Sequence, residues 1–253
     1  MEITFLGTGT SMGVPVISCE CPTCTSNDIR DKRLRSSVVV KTMDKHIVID
    51  TGPDFRQQML REKIAKIDAI LVTHSHKDHI AGLDDVRPYN YIMNKSMDLY
   101  ASKETIKAVR TEFSYIFSKD KYPGVPDINL IEIDNTPFLI GAVEVIPIQL
   151  LHYKMNVLGF RIGGFSYITD TNYISDIELQ KMAQSDVIVI SALRKKKHLS
   201  HFNLEESIAI LKKLNPAKGY LTHISHQMGK YKDVEKELPD NIHLAYDGLK
   251  IIV

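Results

Sequence analysis

The chain has 253 residues, of which 43% are hydrophobic and 25% are charged, a composition typical of a globular protein with a substantial core. Lys plus Arg number 32 against 31 for Asp plus Glu, which excludes an overall basic field that would attract nucleic acid or a membrane surface. The first residues do not resemble a signal peptide, and no apolar run is long enough for a transmembrane helix. We therefore expect a cytoplasmic protein.

Apolar runs predict strands, in chain order, at 2–6, 36–42, 46–50, 68–72, 128–133, 142–149, 157–162, 165–169, 186–190, 218–222 and 249–253. Helical spacing predicts helices at 54–64, 103–118, 175–184, 203–214 and, more weakly, 228–237. Ser102, Ser175 and Asn203 stand where helix N-caps belong. Strands in two groups, each followed by helices, predict two packed sheets coated by helices on both outer sides.

The predicted architecture is therefore an α/β (α+β) four-layer αββα sandwich. No repeat or Pro/Ser-rich linker divides the chain, so we expect one domain over residues 1–253. The segment 122–126, Tyr-Pro-Gly-Val-Pro, marks a sharp break. We expect this break to join the two halves of the sandwich.

The strongest chemical signal is His74-x-His76-x-Asp78-His79, directly behind the apolar run 67–72. In an extended segment residues two apart point the same way, so His74 and His76 can bind one ion while Asp78 and His79 turn toward another. The alternative is a polar surface loop, but such a density of ligand types behind a buried strand favours metal. A zincin needs His-Glu-x-x-His on a helix, and the spacing here excludes it.

A binuclear centre needs further ligands from the ends of later strands. His152, Asp170 and His223 each follow a predicted strand, where a sheet delivers side chains to one rim. Taken singly, each could instead have a structural role: His152 as a hydrogen-bonded strand end, Asp170 as a turn cap and His223 as a core histidine. Together with the first cluster they complete a set of seven ligands, in which the two oxygens of Asp170 suit a bridge between the ions.

All three cysteines lie close together, at Cys19, Cys21 and Cys24, too crowded for a disulfide framework. Three thiolates lack one ligand of a closed tetrahedral zinc site. His226, three residues after His223, is our candidate for the fourth ligand. A redox role of the thiols is the alternative.

Two further segments are expected near the active site. Gly7-Thr8-Gly9 is not followed by helical spacing, so it predicts a tight turn rather than a dinucleotide site. Asp50 ends a strand and either orients a ligand histidine or serves as a simple turn residue.

These residues resemble those of the metallo-β-lactamase superfamily, whose His-x-His-x-Asp-His signature is present without a gap. Within it, the chain is most similar to the phosphoribosyl 1,2-cyclic phosphate phosphodiesterases of the carbon–phosphorus lyase pathway. The likeness spans nearly the whole chain. The features that carry it are the opening 7–15, the cysteine cluster 19–24, the segment 222–227 and the closing 246–249.

The resemblance implies a role for each predicted residue. It makes His74, His76 and His152 ligands of one ion, makes Asp78, His79 and His223 ligands of the other, makes Asp170 the bridge, and makes Cys19, Cys21, Cys24 and His226 the ligands of a structural zinc. It also implies that His201 is a catalytic histidine that binds no metal and meets the scissile phosphate. A basic run, 194–197, precedes His198, and if the loop alignment slips His198 takes that role. The run itself either binds a substrate phosphate or is a solvated loop.

The predicted function is that of a metal-dependent phosphoric diester hydrolase that opens a small cyclic phosphate, such as phosphoribosyl 1,2-cyclic phosphate. Its predicted cofactors are two catalytic divalent ions, zinc or manganese, and one structural zinc. The two catalytic ions would lower the pKa of a shared water toward about 7 for attack on phosphorus. Asp78 would accept a proton from that water, and His201, as imidazolium, would assist the departing alkoxide.

Three other functions compete with this one. Ribonuclease Z shares the motif and cleaves phosphodiesters, but it normally carries a basic arm for transfer RNA that this sequence lacks, and the near-neutral charge fits a small substrate better. A thioesterase or lactonase would use the same activated water on a carbonyl carbon. A metal-free scaffold would have lost ligands that are present here. The predicted partner is thus a small phosphodiester, with neither membrane nor nucleic acid, and a homodimer is one option for the assembly.

Overall fold

The computed structural model describes residues 1–253 and contains two seven-stranded mixed sheets. The first sheet has the order β14-β1-β2-β3-β4-β5-β6. Its strands are β1 (Glu2–Gly7), β2 (Ser37–Thr42), β3 (Lys45–Ile49), β4 (Ala69–Leu71), β5 (Met97–Ala101), β6 (Ile128–Glu132) and β14 (Lys250–Ile252). β1, β2 and β3 pair antiparallel, whereas β3, β4, β5 and β6 run parallel.

The second sheet has the order β13-β12-β11-β10-β9-β8-β7. Its strands are β7 (Phe138–Ile140), β8 (Val143–His152), β9 (Met155–Ile162), β10 (Phe165–Ile168), β11 (Val187–Ser191), β12 (Lys218–Thr222) and β13 (Ile242–Leu244). β7 to β10 form antiparallel hairpins, and β10 to β13 run parallel.

Helices cover the outer faces of both sheets. They are α1 (Phe55–Glu62), α2 (Lys77–Ile80), α3 (Arg87–Met93), α4 (Lys103–Glu112), α5 (Asp176–Met182), α6 (Leu204–Leu214) and α7 (Tyr231–Val234). The predicted N-caps Ser102, Ser175 and Asn203 each accept a hydrogen bond from the backbone N–H three residues later. None of the helices is both long and apolar enough to cross a bilayer.

The strands alternate their side chains between different cores. In β2, Val38 and Val40 pack between the two sheets, where Phe160 and Tyr167 of the second sheet meet them. Val39, which points the other way, packs in a second core beneath the helices of the first sheet. A third core lies between the second sheet and its helices. Because β2 is buried on both faces, it reads as a continuous apolar run, and the predicted four-layer sandwich is confirmed.

Several element bounds differ from the expectations. β5, β7 and β13 were not predicted because each is short, as are α2 and α3. Helix α4 ends at Glu112 rather than at 118, because Phe113 and Ile116 then fold into the second core as turns.

The break between the two halves also lies elsewhere. The segment 122–126 precedes β6 within the first sheet, and the chain passes to the second sheet between β6 and β7. The last strand, β14, returns to the first sheet and pairs with β1, Glu2 opposite Ile252. The Tyr-Pro-Gly-Val-Pro segment is therefore a loop within one half, because Pro and Gly mark a turn without indicating what it connects.

Parallel strands position the site. β3 and β4 run parallel, and so do β10, β11 and β12. Asp50 follows β3, His74 lies just beyond β4, Asp170 lies just beyond β10, and His223 follows β12. The carboxyl ends of these strands therefore carry polar side chains to one edge of the sandwich.

Candidate metal centre

The segment that follows β4 changes conformation between its two pairs of ligand candidates. His76 is extended, with φ −63° and ψ 151°, and the short helix α2 begins directly after it at Lys77. His74 thus precedes His76 in extended chain, whereas Asp78 and His79 lie within the helical turn. This change of direction lets one segment supply two separate groups of side chains.

The first group contains three imidazoles. His74, His76 and His152 each place a ligand-capable nitrogen within 4.8 Å of the others. The His74 Nε2 atom lies 3.0 Å from His76 Nδ1, close to the separation of about 3.3 Å between two nitrogens on a tetrahedral ion. The ring of His152 is fixed by its Nδ1, which lies 2.8 Å from the carbonyl oxygen of Ser200. Donation from Nδ1 to that oxygen leaves the Nε2 lone pair available to a cation.

The second group contains two imidazoles and two carboxylates. Asp78, His79, Asp170 and His223 bring their ligand atoms within 4.8 Å of one another. The Nε2 atom of His79 lies 3.2 Å from Asp78 Oδ2 and 3.1 Å from Asp170 Oδ2. Asp170 Oδ2 is also 3.1 Å from His223 Nδ1. Such a mixed set of nitrogen and oxygen donors suits zinc, manganese or iron.

Asp170 lies between the two groups. Its carboxylate belongs to the second group and also to a cluster with His152 and His201. Its backbone φ is +50°, in the left-handed region that is uncommon outside glycine and that recurs at functional sites. The buried carboxylate thus lies with the second group and also beside His152 of the first group.

An aspartate behind the site orients one of the imidazoles. Asp50 accepts hydrogen bonds from the backbone N–H and the hydroxyl of Thr73, at 2.8 and 2.9 Å. Its Oδ2 also lies 2.7 Å from His79 Nδ1, which turns His79 Nε2 toward the second group. Of the two roles considered for Asp50, the contacts are those of an orienting residue.

The charges of this region fit bound cations. Burial disfavours ionised Asp170, but His223 and His79 outweigh it and hold the pKa of Asp170 well below its usual range. Burial also lowers the pKa of His74 well below the ordinary value, with a further contribution from His79. Neutral imidazole and ionised carboxylate are the forms that bind metal.

His79 shows the opposite shift. Burial disfavours its cation, but the carboxylates of Asp50, Asp170 and Asp78 outweigh burial and raise the pKa of His79 well above normal. Three carboxylates around one imidazole constitute an excess of negative charge in a buried space. His79 Nε2 also has no hydrogen-bond partner although it is fully buried. A divalent cation at this position would compensate the charge and bind the nitrogen.

His201 and His198 occupy different positions. The ring of His201 stacks on that of His223, with centroids 5.0 Å apart, and lies 4.6 Å from the ring of His152. His198 is exposed and lies further out, 5.2 Å from the His201 ring. The structure therefore brings His201, and not His198, into contact with the two groups.

The expected imidazolium state of His201 disagrees with its surroundings. Burial, followed by the neighbouring His223, lowers the pKa of His201 to about 3. Its Nδ1 lies 3.7 Å from Asp170 Oδ1 and is buried without a hydrogen bond. His201 is therefore neutral in the free chain at neutral pH, because the nearby histidines and the loss of water outweigh the one carboxylate.

The cysteine cluster has the dimensions of a tetrahedral zinc site. The sulfur atoms of Cys19, Cys21 and Cys24 lie 3.3, 3.4 and 3.6 Å from His226 Nδ1. Ordinary zinc–sulfur and zinc–nitrogen distances in a tetrahedron give a sulfur–nitrogen separation of about 3.5 Å. His226 begins a single 3-10 turn three residues after His223. One short segment therefore supplies a ligand candidate to the metal centre and another to the cysteine cluster.

Hydrogen bonds around the cluster favour thiolate. Burial opposes ionisation of Cys21, but the Cys24 N–H and the imidazole of His226 outweigh it and lower the pKa of Cys21 to about 6. Burial raises the pKa of Cys24 to about 11, although the Val16 N–H donates to its sulfur at 3.3 Å. Without a cation only part of the cluster ionises, and a zinc ion would deprotonate the rest.

The glycine-rich opening lies beside the site, but the tight turn predicted for residues 7–9 is wrong. Gly7 ends β1 and Gly9 forms extended bridges to Arg35 and Ile224, so the turn follows at residues 10–13. Ser36 donates to the carbonyl of Gly9 and lies 3.3 Å from His223 Nδ1. Nearby, a Cβ atom on Gly52 would lie 2.1 Å from the carbonyl oxygen of Asp78. Only glycine allows that backbone to pack against helix α2.

The basic run 194–197 is largely engaged within the protein. Arg194 donates to Gln227 and to the carbonyls of Lys196 and Lys197. Lys195 pairs with Glu237 at 2.6 Å. Contacts of the run within the protein therefore stabilise the loop.

One functional contact of this loop has no signal in the sequence. The backbone oxygen of Ser200 orients His152, and no sequence pattern indicates it.

Comparison with known proteins defines the class of this chain. Residues 45–224 match the β-lactamase superfamily domain, and the chain belongs to the metallo-β-lactamase superfamily of metal-dependent hydrolases. Within that superfamily the chain is similar to a diphosphatase from the PhnP family, whose crystal structure superimposes with a TM-score of 0.93. The two sequences are 40% identical, and the match covers 99% of this chain and 96% of that one. The predicted superfamily and fold are confirmed.

Curated relatives carry several different names. An octanoyltransferase of Porphyromonas gingivalis is 36% identical over 256 residues, which cover all of this chain but 52% of that protein. The chain thus spans about half the length of that relative. A ribonuclease Z of Borrelia duttonii is 24% identical over 296 residues, covering 87% of this chain and 91% of that one. The short form of human tRNase Z, 18% identical with a TM-score of 0.72, shares the fold.

Proposed function

We propose that residues 1–253 form a single hydrolase domain with a binuclear metal centre, which cleaves a small phosphodiester such as phosphoribosyl 1,2-cyclic phosphate. The observation that carries the proposal is the position of Asp170 between a group of three imidazoles and a second group of mixed ligands. The similarity to a PhnP-family diphosphatase supports phosphorus as the reacting atom.

In this proposal each group holds one ion. His74, His76 and His152 would hold the first, Asp78, His79 and His223 would hold the second, and Asp170 would be shared between them. Zinc or manganese fits both groups. Cys19, Cys21, Cys24 and His226 hold a structural zinc, and free clustered thiols support a reducing, cytoplasmic location.

When bound, two divalent ions supply an activated water and neutralise the phosphoryl oxygens. The chain's own residues orient and move protons around that chemistry. His79 lowers the pKa of Asp78 against the opposing effect of burial, so the carboxylate is ionised and can accept a proton from water, and the same shift makes it a weak base that passes the proton on. His201 starts as a neutral imidazole. The approaching anionic substrate raises its pKa, so His201 takes up a proton from solvent and then donates that proton to the departing oxygen.

A diphosphate substrate is the second candidate. The PhnP-family structure is named a diphosphatase, and the same in-line attack on phosphorus would cleave an anhydride. Ribonuclease Z is supported by the Borrelia relative, but the near balance of 32 basic and 31 acidic residues favours a small substrate. A thioesterase or lactonase activity would direct the same water to a carbonyl carbon.

The test is a substrate panel on the purified protein loaded with manganese or with zinc. The panel contains a ribose cyclic phosphate, a dinucleoside diphosphate, precursor transfer RNA, a thioester and a lactone. We expect turnover of the cyclic phosphate, loss of that turnover in His152→Ala, and retention in His46→Ala, since His46 lies at the opposite end of β3 and its ring contacts the Lys66 carbonyl. Hydrolysis of the thioester, the lactone or the transfer RNA alone would overturn the proposal.

A further inference from the structure

A pocket of about 520 Å³ opens beside the three-imidazole group. His76 and His152 form part of its wall. The rest of the wall comes from two segments, the turn between β8 and β9 and the loop that precedes His201. Its volume lies within the ordinary range for sites that bind small molecules.

Two side chains of this pocket are exposed and apolar. Leu199 is 70% exposed and Tyr153 is 48% exposed, and both line the pocket together with Met155. Exposed apolar groups beside a polar reaction centre mark a contact surface for a ligand. They provide an apolar wall against which a ring can lie.

The backbone at Tyr153 is strained. His152 pairs with Met155 across the hairpin, so Tyr153 and Lys154 form a two-residue turn. The φ of Tyr153 is +56°, a value for which such turns normally use glycine or asparagine. The Asn172 side chain holds this conformation by accepting from the Tyr153 N–H at 2.6 Å. A bulky aromatic residue kept in a strained turn next to a ligand histidine indicates a role for its side chain.

Lys154 adds a positive charge to the same wall. Its Nζ lies 5.3 Å from the centroid of the Tyr153 ring, and it forms none of the salt bridges of the protein. The pocket lining contains no carboxylate. The free ammonium group therefore complements an anion.

We propose that this pocket receives the part of the substrate that carries the leaving oxygen, which in a cyclic phosphate stays attached to the product, and that Tyr153 and Lys154 select a part that contains a ring and a second negative charge. The proposal rests on the proposed phosphorus chemistry. Water adds its oxygen to phosphorus, the bond from phosphorus to the leaving-group oxygen breaks, and that oxygen takes a proton. Because Leu199 and Ser200 directly precede His201 and line the pocket, the departing oxygen leaves on the His201 side.

The test uses two methyl aryl phosphates that differ in charge. One has a para-carboxyphenyl leaving group and the other a para-carbamoylphenyl leaving group. Dividing kcat/KM of a variant by that of the wild type for each substrate removes their different intrinsic reactivities. We expect Lys154→Ala to reduce the preference for the carboxylate about fivefold, the upper range for a partly exposed ion pair, and Lys154→Arg to retain it. The matched control is Lys103→Ala. Lys103 lies in helix α4, next to the first sheet, and forms no salt bridge.

A second measurement does not depend on turnover. Methyl para-carboxybenzyl phosphonate, in which carbon replaces the scissile oxygen, is titrated into wild type, Lys154→Ala and Tyr153→Gly by calorimetry, with and without manganese. We expect weaker binding in both variants, and Tyr153→Gly should also unfold at a higher temperature because glycine relieves the turn.

The outcomes separate the two proposals. In one outcome the protein hydrolyses no phosphate ester, yet it binds the phosphonate in a charge-dependent way that Lys154→Ala removes. This outcome would overturn the proposed function and support the pocket assignment. Equal losses for the charged and neutral aryl substrates in Lys154→Ala, or phosphonate binding that neither variant changes, would overturn the pocket assignment.

Discussion

Replacement of Cys24 by serine should destabilise the whole fold, because the cysteine cluster joins two distant parts of the chain. Cys24 and His226 are 202 residues apart in sequence. A cross-link that closes a loop of this length removes about 5 kcal/mol of unfolded-chain entropy at 25 °C. A chain of 253 residues has an unfolding entropy of about 0.5 kcal/mol/K, so the expected fall in Tm is about 10 °C.

The assay combines thermal unfolding, followed by circular dichroism, with zinc analysis of the same samples. The wild type should lose stability when a chelator removes zinc and regain it when zinc is added, whereas Cys24→Ser should show a smaller response, because only the catalytic groups remain to bind zinc. Thr25→Ser is the control, since it keeps the hydroxyl that donates to the Cys21 carbonyl. A Cys24→Ser protein that has lost its zinc but unfolds at the wild-type temperature would show that the cluster does not cross-link the fold.

Three further predictions concern single residues. His201→Ala should lower kcat about 100-fold or more while plasma mass spectrometry finds unchanged catalytic metal, and unchanged turnover would remove His201 from the mechanism. Asp50→Asn should weaken metal binding at the group that contains His79 by about 10- to 100-fold, measured by competition with a chelating dye; equal affinity would show that Asp50 does not orient the ligand. Arg33→Ala should lower the free energy of unfolding by about 3 kcal/mol, because buried Arg33 donates charge-assisted hydrogen bonds to Thr8 and to the Ala245 carbonyl. Half-exposed Arg30→Ala, which removes the ion pair with Asp28, is the control for loss of a less buried arginine, and equal urea midpoints for the two variants would contradict this.

Much of the fold could be predicted because its strands are buried in distinctive ways. Val38–Val40 of β2 and Val187–Ile190 of β11 are unbroken apolar runs, because both faces of these stretches pack against a core. β5, with the sequence Met97–Ala101, alternates between buried and partly exposed positions over only five residues, which is too short a pattern to separate from a loop. Helix α3 is missed for a similar reason, because Tyr89 is its only buried residue and a proline stands at its start.

The grouping of the candidate ligands was more predictable than the element bounds. His74 to His79 form a local cluster whose spacing carries chemical meaning, and the other ligand candidates follow parallel strands, whose ends meet by topology. The protonation state of His201 could not be predicted, because its pKa depends first on burial and then on the neighbouring His223, neither of which the sequence shows. The Tyr153 turn is visible only as a backbone angle.

The proposed chemistry depends on two cations that share the Asp170 carboxylate. A crystal of manganese-loaded protein, with diffraction recorded at the manganese absorption edge, would locate such cations directly. Two anomalous peaks are expected, one among His74, His76 and His152 and one among Asp78, His79 and His223, both in contact with Asp170. A single peak, or none, with those side chains in the positions described, would show that Asp170 does not bridge two ions.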